Sequence, residues 1–397
     1  MVKWLWVMVF AALFCLVAPA QRLELSLDGQ WEFVTVKSLD EPSPTQGWKP
    51  VQVPGTVYGY NYERAWFRRK FFAPKEWQNR CLILRFGGVK YNSRIFVNGK
   101  YVGGCFNGYD AFEVDITEAV RFGSNNELLV GVHDWTGVFV GEPVDFVKER
   151  RPDLRETPQD RVIAPIGGRF ADYGIWDSVV LRVVPPIHFA DLFIRPLVRQ
   201  NRLEVDVTVV NAGKENFSAT LHARIFLWDG KERGKDGQWE VIGKPVASFP
   251  VVQVQVDGGS QKRLTISLKN PPLEFWFPHR PRLYVLELRF DKPNTDVLRE
   301  RFGWREFWCQ GGDFFLNGRK IHLLATSWWP PIQGVTRNFV REQLQGIKAM
   351  NAVVFRTHTQ PWQKVWYEVA DEVGLLMIPE AAIWNDDTVY RVNDPRF

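Results

Sequence analysis

The hydrophobic period of this chain changes once, near residue 303, and that change constrains the fold more than any other feature. Before it, apolar and polar residues alternate in short runs such as "CLILRFGG", "SRIFVNGKYVGG", "ELLVGVHDW" and "RLEVDVTVVNAG". A period of two belongs to strands with one face in a core and one in water. After it, short continuously apolar runs alternate with segments whose apolar residues recur every three or four positions. Parallel strands covered on both faces by crossover helices have that pattern. The chain is therefore mainly β, with an α/β segment at its end.

A length of 397 residues exceeds what one ordinary core organises, so several domains are expected. From Leu27 to about Val184 many short strands without a long helical pattern imply a β-sandwich or jelly roll. Asn98-Gly99, between "RIFV" and "KYVGG", is a two-residue hairpin signal because both residues tolerate positive φ. Pro185-Pro186 closes this unit. From about Ile187 to Arg301 a second alternating stretch suits an immunoglobulin-like sandwich. Within it "DGKERGKDGQ" reads as a solvated hairpin tip, since a charge run between strands is usually a solvated turn.

Beyond "RFGWREF" an apolar strand is expected at Ile321–Ala325, followed by a helix with Val340, Leu344 and Ile347 on one face. "AVVF" is the second strand. Trp366, Val369, Ala370 and Val373 mark the second helix, which Thr359 and Pro361 open and Gly374 ends. "LLMI" is the third strand. No glycine-rich phosphate turn follows any of the three, which argues against a dinucleotide site. Neither a Gly-x-Ser-x-Gly elbow nor a His-Glu-x-x-His helix occurs, which argues against serine-hydrolase and zinc-peptidase chemistry.

Composition narrows the partners. A net charge of +5, with Lys and Arg interspersed among Asp and Glu, provides no concentrated basic patch for nucleic acid. Aromatic residues make up 14% of the chain, including 18 Trp, and rings of that abundance fill sandwich cores before they stack on sugars. The N-terminus, "MVKWLWVMVFAALFCLVAPAQRL", has one early cation, an apolar run and a small-residue Ala18-Pro19-Ala20 site. It reads as a signal peptide cleaved after Ala20, which predicts an exported protein, secreted or periplasmic, with no membrane span after cleavage. Cys15 follows Phe14, not a small residue, so acylation as a lipoprotein is not expected. The remaining Cys81, Cys105 and Cys309 allow a Cys81–Cys105 disulfide or buried free thiols equally well, and no Cys/His cluster suggests zinc.

The segments, in order, resemble glycoside hydrolase family 2, which holds the β-galactosidases, β-glucuronidases and β-mannosidases. "LDGQWEF", "VQVPGTV", "AWFRRKFFAP", "LRFGGVKYNSRIFVNGKYVGG", "GYDAFEVDIT" and "YGIWDSVVLRVV" look like its sugar-binding jelly roll. "FWFPHRPRLYVLELRF" is similar to the end of its central sandwich. "FGWREFWCQGGDFFLNGRKIHLLATSWWPP" and "GIKAMNAVVFRTHTQPWQKVWYEVADEVGLLMIPE" are similar to its barrel entry and first βα units. After the signal peptide over 1–20, the resemblance implies a jelly roll over 21–185, an immunoglobulin-like sandwich over 186–302 and the incomplete start of a (β/α)8 TIM barrel over 303–397. It also implies retaining hydrolysis of terminal β-linked sugars by two glutamates, with a carbohydrate substrate, no cofactor and an oligomer as one option.

A complete barrel needs about 250 residues, and Phe314 to Phe397 supplies 84. The family's two glutamates follow the fourth and seventh barrel strands, so the expectation is that this chain contains neither and is inactive alone. Glu380 follows the third strand and lacks the Asn that precedes the family's acid/base. Asn126-Glu127 has the pair but lies in the first sandwich, where it reads as structural. What the chain supplies is part of a pocket, at the C-terminal ends of three strands. Ser327, Trp328 and Trp329 follow the first, Arg356 and His358 the second, and Glu380, Trp384 and Asn385 the third. The expected substrate-binding set is Arg356, His358, Glu380, Trp329, Trp384 and Asn385. Arg356 and Glu380 equally suit a scaffold ion pair, and Trp329 equally suits packing. Some magnesium-dependent members of the family carry Glu and His where Trp384 and Asp386 stand, so no metal is expected. "SWWPP" leans toward the mannosidase and glucosaminidase pattern and "RTHTQP" toward galactosidases and glucuronidases, which leaves the sugar open. A non-catalytic secreted carbohydrate-binding β-sandwich protein is the alternative reading.

Overall fold

The computed structural model describes residues 22–58, 64–105, 108–133, 172–329, 331, 334–358 and 360–381. The first unit is a sandwich of two antiparallel sheets. One has four strands, in the order Leu23–Ser26, Val179–Val184, Cys81–Phe86, Phe112–Asp115. The other has six, in the order Lys49–Val53, Gly29–Val36, Arg64–Ala73, Ser124–His133, Asn92–Val97, Lys100–Cys105. Alternation builds the layer between them: in Asn92–Val97 the side chains of Ser93, Ile95 and Val97 are buried and the three between are only partly so. Ile95 and Val97 join Phe67 and Val130 of their own sheet and Leu84, Phe86 and Leu181 of the facing one in a single core. Asn98 and Gly99 adopt φ 52° and 81°, as the two-residue hairpin requires. Asn126 is fully buried behind that turn. Its Oδ1 accepts from Asn98 Nδ2 (2.7 Å) and Arg121 N (2.7 Å), which is structural work.

The second unit packs the sheet Ile187–Leu197, Arg202–Asn211, Ser260–Lys269 against a sheet ordered Ala247–Ser248, Phe217–Leu227, Tyr284–Phe290, Val297–Phe302. Val252–Val256 also pairs with Phe217–Leu227. Val205, Val207 and Ile266 meet Leu221, Leu286 and Leu288 in its core. Arg22 joins the two units: its guanidinium is buried, lies 2.5 Å from Asp296 Oδ2 and donates to Phe189 O at 2.6 Å. Among the described residues Cys81, Cys105 and Cys309 form no disulfide with one another, and Cys81 is buried whereas Cys309 is exposed.

The final unit starts with a three-stranded antiparallel sheet, Phe307–Gln310, Asp313–Leu316, Arg319–Ile321. Then come β1 (Ala325–Trp328), α1 (Arg337–Ala349), β2 (Val354–Thr357), α2 (Lys364–Val373) and β3 (Leu376–Pro379). β2 lies between β1 and β3, parallel to both. The first parallel strand thus begins at Ala325, not at Ile321 as the apolar run suggested. Ile321 is already paired, antiparallel, with Phe314, and the register with β2 starts at Ala325↔Val354. Val340, Leu344 and Ile347 of α1 and Trp366, Val369, Ala370 and Val373 of α2 are buried together, with Phe355 of β2, as their spacing predicted. Thr336 caps α1 by accepting from Phe339 N, and Gly374, at φ 84°, ends α2. Thr359 lies outside the described residues.

Only part of the "DGKERGKDGQ" segment is a solvated tip: Asp229 to Glu232 and Lys235 are exposed, and the rest is engaged. Gln238 is buried, Arg233 packs 4.3 Å over the Trp239 ring and pairs with Glu368 of α2 at 3.1 Å. Beside it Arg301 lies between the rings of Trp228 and Trp239 (4.5 and 4.2 Å) and pairs with Glu372. Arg337 and Arg341 of α1 also reach Glu372. The charge run seats α2 on the second unit because its partners lie more than a hundred residues away, beyond the reach of local pattern.

Candidate functional site

Parallel strands that start in register end together, so β1, β2 and β3 release their following residues at one edge. There the side chains of Arg356, His358, Glu380 and Trp329 converge. Arg356 Nη2 donates to Glu380 Oε1 at 2.8 Å. Glu380 Oε2 stands 3.5 Å from His358 Nδ1, and both atoms are buried without a hydrogen-bond partner among the described residues. Trp329 presents its ring edge-on to the His358 imidazole, centroids 4.4 Å apart. The backbone fixes the set: His358 N donates to Trp328 O (3.2 Å) and Glu380 N to Thr357 Oγ1 (3.1 Å).

The arrangement therefore contains the ion pair expected of a scaffold and keeps polar edges for a ligand. Arg356 is 42% exposed, and Glu380 and His358 about a quarter exposed, so water or a hydroxyl-bearing molecule reaches all three. An imidazole and a carboxylate side by side suit donation to and acceptance from sugar hydroxyls. Trp329 is 45% exposed and Trp328 63%, which places aromatic faces at the rim. Trp328 and Trp329 also line an apolar cavity of about 230 Å³ with Phe339, Phe355, Trp362 and Trp366, on the helix side of the sheet. Ser327 lies in β1 itself, paired with Arg356 in register and exposed. Trp384 and Asn385, and with them Asp386, lie outside the described residues. No group of three or more His, Cys, Asp or Glu side chains is placed to hold a metal among the described residues.

The first sandwich also reaches this edge, which the sequence did not signal. Buried Lys90 donates to Gln360 Oε1 at 3.3 Å, and Tyr109 OH stands 3.5 Å from the same oxygen. Gln363 Nε2 donates to Trp176 O at 2.7 Å, and Lys364 N to Asp177 Oδ2 at 3.2 Å. The loop that carries His358 into α2 is thus held by residues more than 180 positions earlier. A lone Lys beside "GGV" and an Asp inside "IWDS" offer no local sign of that.

Comparison with known proteins gives the family. Residues 25–150 match the model of "Glycosyl hydrolases family 2, sugar binding domain", and residues 187–305 match "Glycosyl hydrolases family 2". The chain is 24% identical to a β-glucuronidase of Bacteroides fragilis over 93% of its length, and 24% identical to a β-galactosidase of Priestia megaterium over 78%. It spans 51% and 28% of those two proteins, less than two thirds of either. Among solved structures it is similar to a Bacteroides uniformis β-glucuronidase, with a TM-score of 0.72 and 24% identity, over 91% of this chain and 42% of that one.

Proposed function

Because the chain belongs to glycosyl hydrolase family 2, we propose that it serves a retaining glycosidase acting on terminal β-linked sugars and supplies part of that enzyme's sugar pocket. The observation that carries the reading is the convergence of Arg356, His358, Glu380 and Trp329 at the C-terminal ends of three parallel strands. In this reading the two units before them are the jelly roll and the immunoglobulin-like sandwich, and β1 to β3 open a (β/α)8 barrel.

Retaining hydrolysis needs two carboxyl groups about 5–5.5 Å apart, one to protonate the leaving oxygen and one to attack the anomeric carbon. We assign Glu380 neither role, because it follows the third strand, whereas the family resemblance puts the two glutamates after the fourth and seventh. One of its oxygens is occupied by Arg356 and the other faces His358. The pairing with Arg356 places this carboxylate to orient its neighbours. In this reading the catalytic pair is not among the described residues, and the chain by itself binds without turning over. Export through the N-terminal segment is part of the proposal. Family membership favours the enzyme reading over a carbohydrate-binding protein without catalytic ancestry.

The test is ligand binding at the mouth. Titrating phenyl β-glucuronide and phenyl β-galactoside into the chain should shift the His358 ring resonances and quench Trp329, and Arg356→Ala should weaken binding at least several-fold. Saccharide perturbation confined to the first sandwich, with His358 silent, would reject the site.

A further inference from the structure

Asp177 lies in the turn before Val179–Val184 of the first sandwich, yet its carboxylate faces the start of α2. Oδ1 accepts from Ser178 N at 2.8 Å and Oδ2 from Lys364 N at 3.2 Å. The residue is 7% exposed, and no cation lies within ion-pair distance of it among the ion pairs of the described residues. The backbone makes room for it: a Cβ on Gly87 would fall 2.6 Å from the carboxyl atoms. On its open side is a cavity of about 340 Å³ where the first sandwich, the second unit and α2 meet.

Charged groups face Asp177 from every side of that junction. The first sandwich contributes Asp28, which opposes its ionisation, and Arg85, which favours it. The second unit contributes Arg233, already paired with Glu368. From α2 come Lys364, whose ammonium also leans to Glu368, and Tyr367, whose phenol is raised by burial and, to a lesser extent, by Asp177. The cations are thus engaged elsewhere, and the carboxylate has two N–H donors to replace the water it lost.

We propose that Asp177 is a proton-dependent positioning residue, which fastens the start of α2, and through it the loop bearing His358, to the first sandwich more tightly when it is protonated than when it is ionised. A neutral carboxyl keeps an acceptor for Lys364 N without the cost of a buried, unpaired charge. Burial, more than Asp28, pushes the Asp177 carboxyl up to about 6. If the junction opens, the group returns to water and to an ordinary carboxylate range, so the closed form binds the proton more tightly. The junction is therefore tightest in mild acid and loosens as pH rises through about 6.

The role in sugar binding rests on the reading of the mouth given above, but the test does not. Hydrogen exchange of amides 363–367, corrected for intrinsic rate, gives the opening constant of the junction at each pH. The expected result is an opening constant about tenfold larger at pH 7.5 than at pH 5, in a chain whose strand amides show no such change. In Asp177→Asn that dependence disappears, whereas Asp28→Asn retains it with a lower midpoint. Should Asp177→Asn not fold, the carboxyl carbon of Asp177 and the amide of Lys364 in the unaltered chain must titrate together near pH 6. A midpoint near 4, a flat opening constant, or the same slope in Asp177→Asn would overturn the proposal. Success here with no saccharide at His358 would refute the site reading alone.

Discussion

Asp177 and Glu368, both at the junction of the three units, respond to protons in opposite directions. Burial holds Asp177 up to about 6. Glu368 would also be raised by burial, but Arg233, Lys364 and Arg301 outweigh that and hold it down to about 2. A raised carboxyl contributes stability below its unfolded value and loses it as pH rises through the folded one; a depressed carboxyl loses it as pH falls. Each difference corresponds to about 3 kcal/mol. The melting temperature should therefore rise as pH falls from 7.5 to about 5 and fall again below about 4. Thermal scans of Asp177→Asn should lack the first limb, and those of Glu368→Gln should lose much of the second. At the mouth, the Arg356–Glu380 pair is partly exposed, so a double-mutant cycle should give a coupling of about 1 kcal/mol or less. A value of 3 or more would mark Glu380 as a buried structural anchor with little to offer a ligand.

At the scale of elements, the two helices and the Asn98-Gly99 hairpin were legible because their signals are local. Four apolar positions at helical spacing and two residues free to take positive φ specify their own conformation. Trp366 packs against Trp362 (4.6 Å) and Phe355 (6.1 Å) in the centre of the βα core. Trp366→Ala should cost about 3–5 kcal/mol in denaturant unfolding, against about 1 for removing the α1 cap by Thr336→Ala. Equal effects would mean that the βα core contributes no more than a single cap. The start of β1 was misplaced because apolarity alone does not say which sheet claims a residue. Ile321 and Ala325 belong to one apolar run but pair in different sheets.

At the scale of the molecule, the sequence shows that there are several units but little of how they meet. The residues that join them are charged, and charge in a loop looks like a solvated surface. Arg233, Arg301 and Arg337 converge on Glu368 and Glu372 from three separate stretches of chain. Arg301 and Glu372 are each about 3% exposed. Arg301→Ala leaves Glu372 with an incomplete set of partners and two rings without their cation, and should cost about 3–5 kcal/mol. Limited proteolysis should then cut near α2 sooner than in either sandwich. The same logic explains the site. Arg356, His358 and Glu380 could be singled out in the sequence because the ends of parallel strands gather at one edge, whereas Lys90, Gln360 and Asp177 act across units and carry no local pattern.

Under the proposed function this chain holds part of a glycosidase pocket, and Glu380 is not one of the catalytic carboxylates. The purified 397-residue chain, its length checked by intact mass, should be assayed against aryl β-glucuronides, β-galactosides, β-mannosides and β-glucosaminides. The account predicts no turnover above the uncatalysed rate on any of them. Turnover that persists through purification and is abolished by Glu380→Gln would contradict it, and would make Glu380 a catalytic acid or nucleophile.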